Sequence, residues 1–280
     1  VFRPAGAATP RVIVTADDFG LTDAVNDAVE LAYRDGILTH ASLMVAGAAA
    51  SGAMSIARRL PGLSVGLHVV AIEGPTVLPP AQLGKLAGPD GWLRSDQLRL
   101  GLAYGFSQRA RARIAREIDA QFRAFAATGL KLAHADAHKH MHLHPFIGRC
   151  LIESGRRHGL RRVRVPAEPP AVMRRLGVSQ GPAALALHAW TSVLRRQVAR
   201  AGMTAPNAVF GLAWTGQMIE PHLLAVLREV ARGGAGSDVE IYTHPATHQD
   251  ALLRRLMPGY RHAEELAALL SPAARKLCAR

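Results

Sequence analysis

Two cysteines in 280 residues, Cys150 and Cys278, are too few and too far apart to staple a fold. Neither belongs to a Cys-x-x-Cys pair, so a disulfide scaffold is excluded and a reducing, cytoplasmic setting is the default expectation. No uninterrupted apolar run reaches transmembrane length. The opening VFRPAGAATP lacks the apolar centre of a secretory signal, and residues 1–10 read as a disordered lead-in. No Gly-x-Ser-x-Gly elbow occurs and neither cysteine has the local setting of a nucleophile, which disfavours a serine or cysteine hydrolase. No glycine-rich dinucleotide fingerprint or phosphate loop follows a strand candidate. Acidic residues are scarce: 21 Asp and Glu face 34 Lys and Arg, a formal charge of +13. Such an excess suits nucleic acid or an anionic membrane, and an Arg- and Ala-rich base composition explains it equally well. Without a helix-turn-helix, zinc-finger or RNA-binding signature, nucleic acid is not an expected partner.

What is present favours a well-packed chain. Hydrophobic residues make up 49% and the length can bury a large core. Arg11–Ala16 reads as a buried strand running into Asp17-Asp18-Phe19-Gly20. Thr22 is placed to cap the following helix, whose Val25, Val29 and Ala32 recur at helical spacing until Gly36. Strands are expected at 42–45, 63–67, 132–138, 160–165, 208–213 and 239–243. Helices are expected at 48–60, 110–128, 146–158, 220–233 and 261–270. Ile114, Ile118, Phe122 and Phe125 should form the inner face of the helix at 110–128. Two Pro- and Gly-bearing stretches, 71–108 and 166–206, interrupt this rhythm as insertions. The second holds a candidate amphipathic helix in which Arg195, Arg196 and Arg200 flank Leu187, Trp190 and Leu194, suited to an anionic membrane or to the protein's own core. The alternation predicts an α/β fold, an irregular TIM-like (β/α) barrel with mostly parallel strands, with 11–280 as one domain. An open doubly wound sheet is the alternative.

Four polar clusters fall at the ends of separate strand candidates: Asp17-Asp18, His68, the run from Asp136 to His144, and His244. In a parallel barrel those ends share the face on which active sites form. Adjacent residues of an extended chain point in different directions, so Asp17 and Asp18 should differ in role, one holding a metal and the other contacting water or a ligand. His134, Asp136, His138, His140, His142 and His144 alternate with period two. His138 and His140 would lie roughly 6.6 Å apart at about 3.3 Å per residue, so both reach one ion only if the chain bends. An Asp–His–His set such as Asp18, His68 and His138 suits zinc with a position left for water. Nickel, cobalt or manganese fit the same ligands. The set is short of the carboxylates of a dedicated calcium or magnesium cage, although a magnesium ion on these ligands stays open. A non-ligand His244 beside such a centre has the chemistry of a general acid.

Thr15-Ala-Asp-Asp-Phe-Gly20, Gly66-Leu-His68, Glu73-Gly74, Asp136-Ala-His-Lys-His-Met-His142 and Thr243-His-Pro245, in this order, resemble the YdjC-like carbohydrate deacetylase family, which includes chitooligosaccharide deacetylases. Ser42–Val45, Pro61–Leu63, Val77–Pro80, Phe122–Gly129 and Ala137–Pro145 are similar to its hopanoid biosynthesis-associated branch. The resemblance implies a barrel-like fold and a metal on Asp18, His68 and His138, with Asp17 as general base and His244 as general acid. It places Glu73, His140, His142, Arg164 and Glu168 on the substrate side. The implied substrate is an N-acetylglucosaminyl lipid, a hopanoid, or alternatively a chitooligosaccharide or other soluble N-acetylated sugar. Contact with the inner membrane and homo-oligomerisation are both compatible with this expectation.

Overall fold

The computed structural model describes residues 11–179 and 181–278. The expected lead-in, residues 1–10, lies outside them. Six strands form one parallel sheet: β1 Arg11–Phe19, β2 His40–Leu43, β3 Ser64–Val69, β4 Ala135–Ala137, β5 Ala208–Phe210 and β6 Asp238–Thr243. Their spatial order is β4-β3-β2-β1-β6-β5. Around them run α1 Asp23–Asp35, α2 Ala50–Arg59, α3 Pro80–Leu83, α4 Gln97–Phe106, α5 Gln108–Ala127 and α6 Pro145–Arg157. The series continues with α7 Pro170–Arg175, α8 Pro182–Arg200, α9 Glu220–Ala231, α10 Ala251–Leu256, α11 His262–Leu270 and α12 Pro272–Cys278.

The sheet curls into an irregular barrel whose regular ladder is open between β4 and β5. The expected strand at 160–165 contributes only isolated parallel bridges, Val163 to Ala135 and Arg162 to Thr204. With the Val209 N–H donating to the Ala167 carbonyl (3.2 Å), they carry irregular hydrogen bonding across the gap. The bracketing residues explain the irregularity: Pro166 cannot donate to a ladder, and Ala167 already bonds back to Val165.

Side-chain alternation sorts the strands into two faces. Val14 and Ala16, Ala41 and Leu43, Val65 and Leu67, Val163 and Val165, and Val239 and Ile241 join the core beneath the helices. The intervening residues, Thr15, Asp17, Ser42, His68, Asp136, Arg164, Glu240 and Tyr242, are polar and buried. Parallel strands are usually apolar on both faces; here the inner face is polar, and the site is built from it.

The helices expected from the pattern form, while α3, α4, α7, α10 and α12 were not among those expected. The Thr22 hydroxyl accepts from the Val25 N–H at the start of α1. Ile114, Ile118, Phe122 and Phe125 are buried along α5. In α8 the expected amphipathic face is divided. Leu194 turns into the core, Leu187 is half-buried, and Trp190 stays exposed while its indole N–H donates to the Leu143 carbonyl.

Candidate metal centre and its pocket

Asp17 and Asp18 reach the same region because β1 is bulged. Ala16 pairs with Ala41 and Phe19 with Leu43, so three steps on β1 oppose two on β2. The extra residue breaks the alternation. Asp18 takes it up with φ 61, a left-handed backbone that a non-glycine residue rarely adopts. The Asn26 amide holds the following turn, accepting from the Gly20 N–H (2.8 Å) and donating to the Ala49 carbonyl (2.9 Å).

The period-two run does not stay extended. β4 ends at Ala137, and His138–Leu143 form 3-10 turns in which Lys139 and His140 are left-handed. The bend brings His138 against Asp18 and His140 against β6. His138 Nδ1 lies 3.1 Å and His68 Nε2 3.3 Å from Asp18 Oδ1. Three ligands at about 2.1 Å around a tetrahedral ion would stand about 3.4 Å apart. Asp18 Oδ2 is buried without a partner, an arrangement that costs free energy in a dry interior unless a cation or donor completes it. Donor type, spacing and the orphaned oxygen therefore all fit a divalent ion on Asp18, His68 and His138.

Asp136 sits behind this cluster. It is the register partner of His68 in the β3–β4 ladder, and its Oδ1 is 2.8 Å from His68 Nδ1. That contact leaves Nε2 facing Asp18, the carboxylate–imidazole orientation found behind metal-bound histidines. Burial opposes a charge on His68, yet Asp136 and Asp17 raise the ring to about 10. Burial likewise opposes charge on Asp18, and His138 and His68 outweigh it to hold the carboxyl well below its ordinary value. Ser42 Oγ donates to Asp136 Oδ2 (3.0 Å) and meets His134 Nε2 (3.0 Å).

Asp17, His68 and Asp136 form a second close group, but a guanidinium already serves it. Arg164, 1% exposed, donates to both oxygens of Asp17 (2.6 and 2.8 Å) and to Glu240 (2.8 Å). It also lies 2.6 Å from Asp136 Oδ2. A cation placed there would face a buried positive charge, so the Asp18 group is the one suited to an ion.

A cavity of about 250 Å³ opens over the cluster, lined by Asp17, His68, His138, His140, His244 and Tyr260 among others. The His140 ring is 2.9 Å from the Tyr242 hydroxyl. His244 ends β6. Its backbone N–H donates to the buried Glu265, its carbonyl meets His262 Nδ1 (2.6 Å), and its own Nδ1 is buried without a partner. Burial pulls the His244 ring down to about 4 against the attraction of Asp18 and Asp17, so it rests neutral at neutral pH.

The residues expected on the substrate side are dispersed. Glu73 pairs with Lys139 at the rim. His142 is buried against the Arg164 carbonyl (3.0 Å), and Arg164 lies beneath the pocket rather than on its surface. Glu168 gathers the N–H groups of Gly211, Leu212 and Ala213, which fixes a turn beside the cavity. Glu240 received no role from sequence, and Asp136 only that of the polar run's non-ligand members, to position substrate or orient the ligand; their signal was the shared period-two alignment with His138 and with His244.

A family model described as YdjC-like protein matches residues 11–280. A carbohydrate deacetylase of Brevibacillus brevis is 38% identical over 137 residues, 49% of this chain and 52% of that protein. A chitooligosaccharide deacetylase of Enterobacter sp. (strain 638) is 36% identical over 143 residues, 49% of this chain and 52% of its own. The chain thus spans about half the length of these bacterial relatives. A carbohydrate deacetylase of Mus musculus is 32% identical over 262 residues, 89% of this chain and 78% of its own. A crystal structure from Enterococcus faecalis V583, provisionally described as a cellobiose-phosphate cleavage protein, shares the fold. Its TM-score is 0.75 at 20% identity, over 97% of this chain and 95% of that one.

Proposed function

This chain belongs to the YdjC-like protein family, and we propose that it is a metal-dependent hydrolase that removes the acetyl group from an N-acetylated sugar. The observation that carries this reading is the buried Asp18–His68–His138 cluster, with one unpartnered carboxylate oxygen, beneath a cavity lined by its two histidines together with Asp17 and His244. Relatives described as carbohydrate and chitooligosaccharide deacetylases supply the substrate class.

A divalent ion on Asp18, His68 and His138, zinc by donor type, would supply Lewis acidity at the amide carbonyl and toward a water molecule. The protein's own residues do the rest. Asp17 is the general base: both its oxygens accept from Arg164, each keeps a further lone pair, and the residue lines the cavity. Arg164 fixes its direction. His244 is the general acid at the amide nitrogen. Because its ring rests neutral, the proton it delivers must arrive during the reaction, and the proton taken up at Asp17 is the source within the pocket.

The soluble N-acetylated sugar is the reading its relatives favour. A hollow of mixed polarity beside the Lys139–Glu73 pair, lined by Glu73, Asp90, Trp92, Leu93, Arg94 and Arg255 among others, suits further sugar units. One feature favours the N-acetylglucosaminyl hopanoid instead. A cavity of about 320 Å³ shares Leu212 with the catalytic pocket, and its apolar lining of Pro166, Val178, Ala184, Leu187, Leu212 and Ala213 is joined by Glu168, Ser179 and His188. Acetate release from both substrates, before and after chelation and zinc restoration, tests the proposal. Release that chelation abolishes and zinc restores supports it, and the preferred substrate decides between the two. No release from either, with zinc bound, rejects it.

A further inference from the structure

Helix α4 is apolar on both sides. Leu100 and Tyr104 are buried, and Tyr104 bonds the Ala71 carbonyl (2.9 Å). On the opposite side Leu98, Leu102 and Phe106 stand one turn apart and are 75%, 53% and 84% exposed. Such a stripe on a surface helix asks for a covering partner. Leu185 and Trp190 of α8 are exposed as well. Both helices abut the Leu143–His144 corner, α4 through the Tyr104–His144 ring contact and α8 through the Trp190 bond to Leu143.

The charge around these side chains is predominantly positive, Asp96 at the α4 cap being the adjacent exposed acid. Residues 97–116 contain five arginines and no Asp or Glu, and residues 169–219 again contain five arginines and no acid. Arg99, Arg109 and Arg196 are exposed and form no ion pair among the described residues. A second copy of the chain would bring arginine against arginine across a two-fold contact, whereas an anionic bilayer offers the apolar stripe and the arginines their complements together. No helix among the described residues is long and apolar enough to cross a membrane, so the helix would lie on the surface.

We propose that the α4 face, with Leu98, Leu102 and Phe106 inserted and the flanking arginines on headgroups, docks this protein onto anionic lipid bilayers. Gln97, the first residue of α4, lines the catalytic pocket, so docking would set the pocket near the membrane surface. The proposal holds whichever N-acetylated sugar is hydrolysed.

Co-sedimentation with vesicles of phosphatidylglycerol and phosphatidylcholine, against phosphatidylcholine alone, reads it directly. The parent protein should sediment with the anionic vesicles and be released at high salt. The variant carrying Leu98→Ser, Leu102→Ser and Phe106→Ser should bind at least about tenfold more weakly, with its acetate release from a soluble sugar unchanged. Leu102→Ser alone serves if the triple variant melts early. Absence of parent binding, or equal binding by a folded variant, overturns the proposal. So does a dimer in light scattering that the triple variant abolishes while neither protein binds vesicles, because that outcome makes the face a self-association surface. None of these outcomes depends on the catalytic reading.

Discussion

Asp18 stands at φ 61 in a strand whose neighbours are extended. A left-handed backbone at a non-glycine residue costs on the order of 1–3 kcal/mol, and the return is that Asp18 joins His68 and His138 while the adjacent Asp17 lines the cavity. Their tasks can be separated experimentally. Asp17→Asn removes a proton acceptor but no proposed ligand. Single-turnover acetate release should fall about 10²–10⁴-fold with metal content near that of the parent; a metal-loaded variant with full turnover would defeat the base role. Asp136→Asn removes the acceptor behind His68 Nδ1. We expect zinc affinity to drop about 10–100-fold, measured by competition with a chelator, and unchanged affinity would show that Asp136 serves Arg164 and Ser42 rather than the metal ligand. His244→Ala should slow carbon–nitrogen cleavage, and less so for amides with weakly basic leaving amines. An equal proportional loss across a leaving-group series would leave His244 as a binding residue.

At the scale of elements, the inner faces of β1, β3, β4 and β6 crowd polar side chains into a confined space, so small residues become necessary. A Cβ on Gly66 would stand 2.5 Å from the His134 ring, and that ring is held by Ser42. Gly66→Ala should cost about 1–3 kcal/mol as overpacking, read from denaturant unfolding. A melt identical to the parent's would show that the ring moves aside freely. Much of this architecture was legible in the sequence, because helix periodicity and strand β-branching are local signals. Thr22, Ile114, Ile118, Phe122 and Phe125 all behave as their pattern indicates. The His run was not legible in full. Its period of two suggests an extended strand, whereas left-handed Lys139 and His140 turn it to bring His138 and His140 into one pocket. Nor did local sequence show that 160–165 would pair only through isolated bridges, since its neighbours there are set by the curl of the whole sheet.

At the scale of the molecule, the charges form a closed arrangement. One buried guanidinium, Arg164, ties Asp17, Asp136 and Glu240 together from four parts of the chain. Asp136 in turn orients His68 toward Asp18. Motif residues far apart in sequence could be recognised singly, but Arg164's place beneath the pocket follows only from the assembled barrel. The central claim is that this arrangement holds one catalytic divalent ion. Zinc titration of metal-free protein, with bound metal and acetate release from an N-acetylated sugar read in each sample, tests it most directly. The account predicts that release rises in proportion to occupancy and saturates at one ion per chain, with Asp18→Ala failing to bind or turn over. Full acetate release from the metal-free protein, or from zinc-free Asp18→Ala, would contradict it.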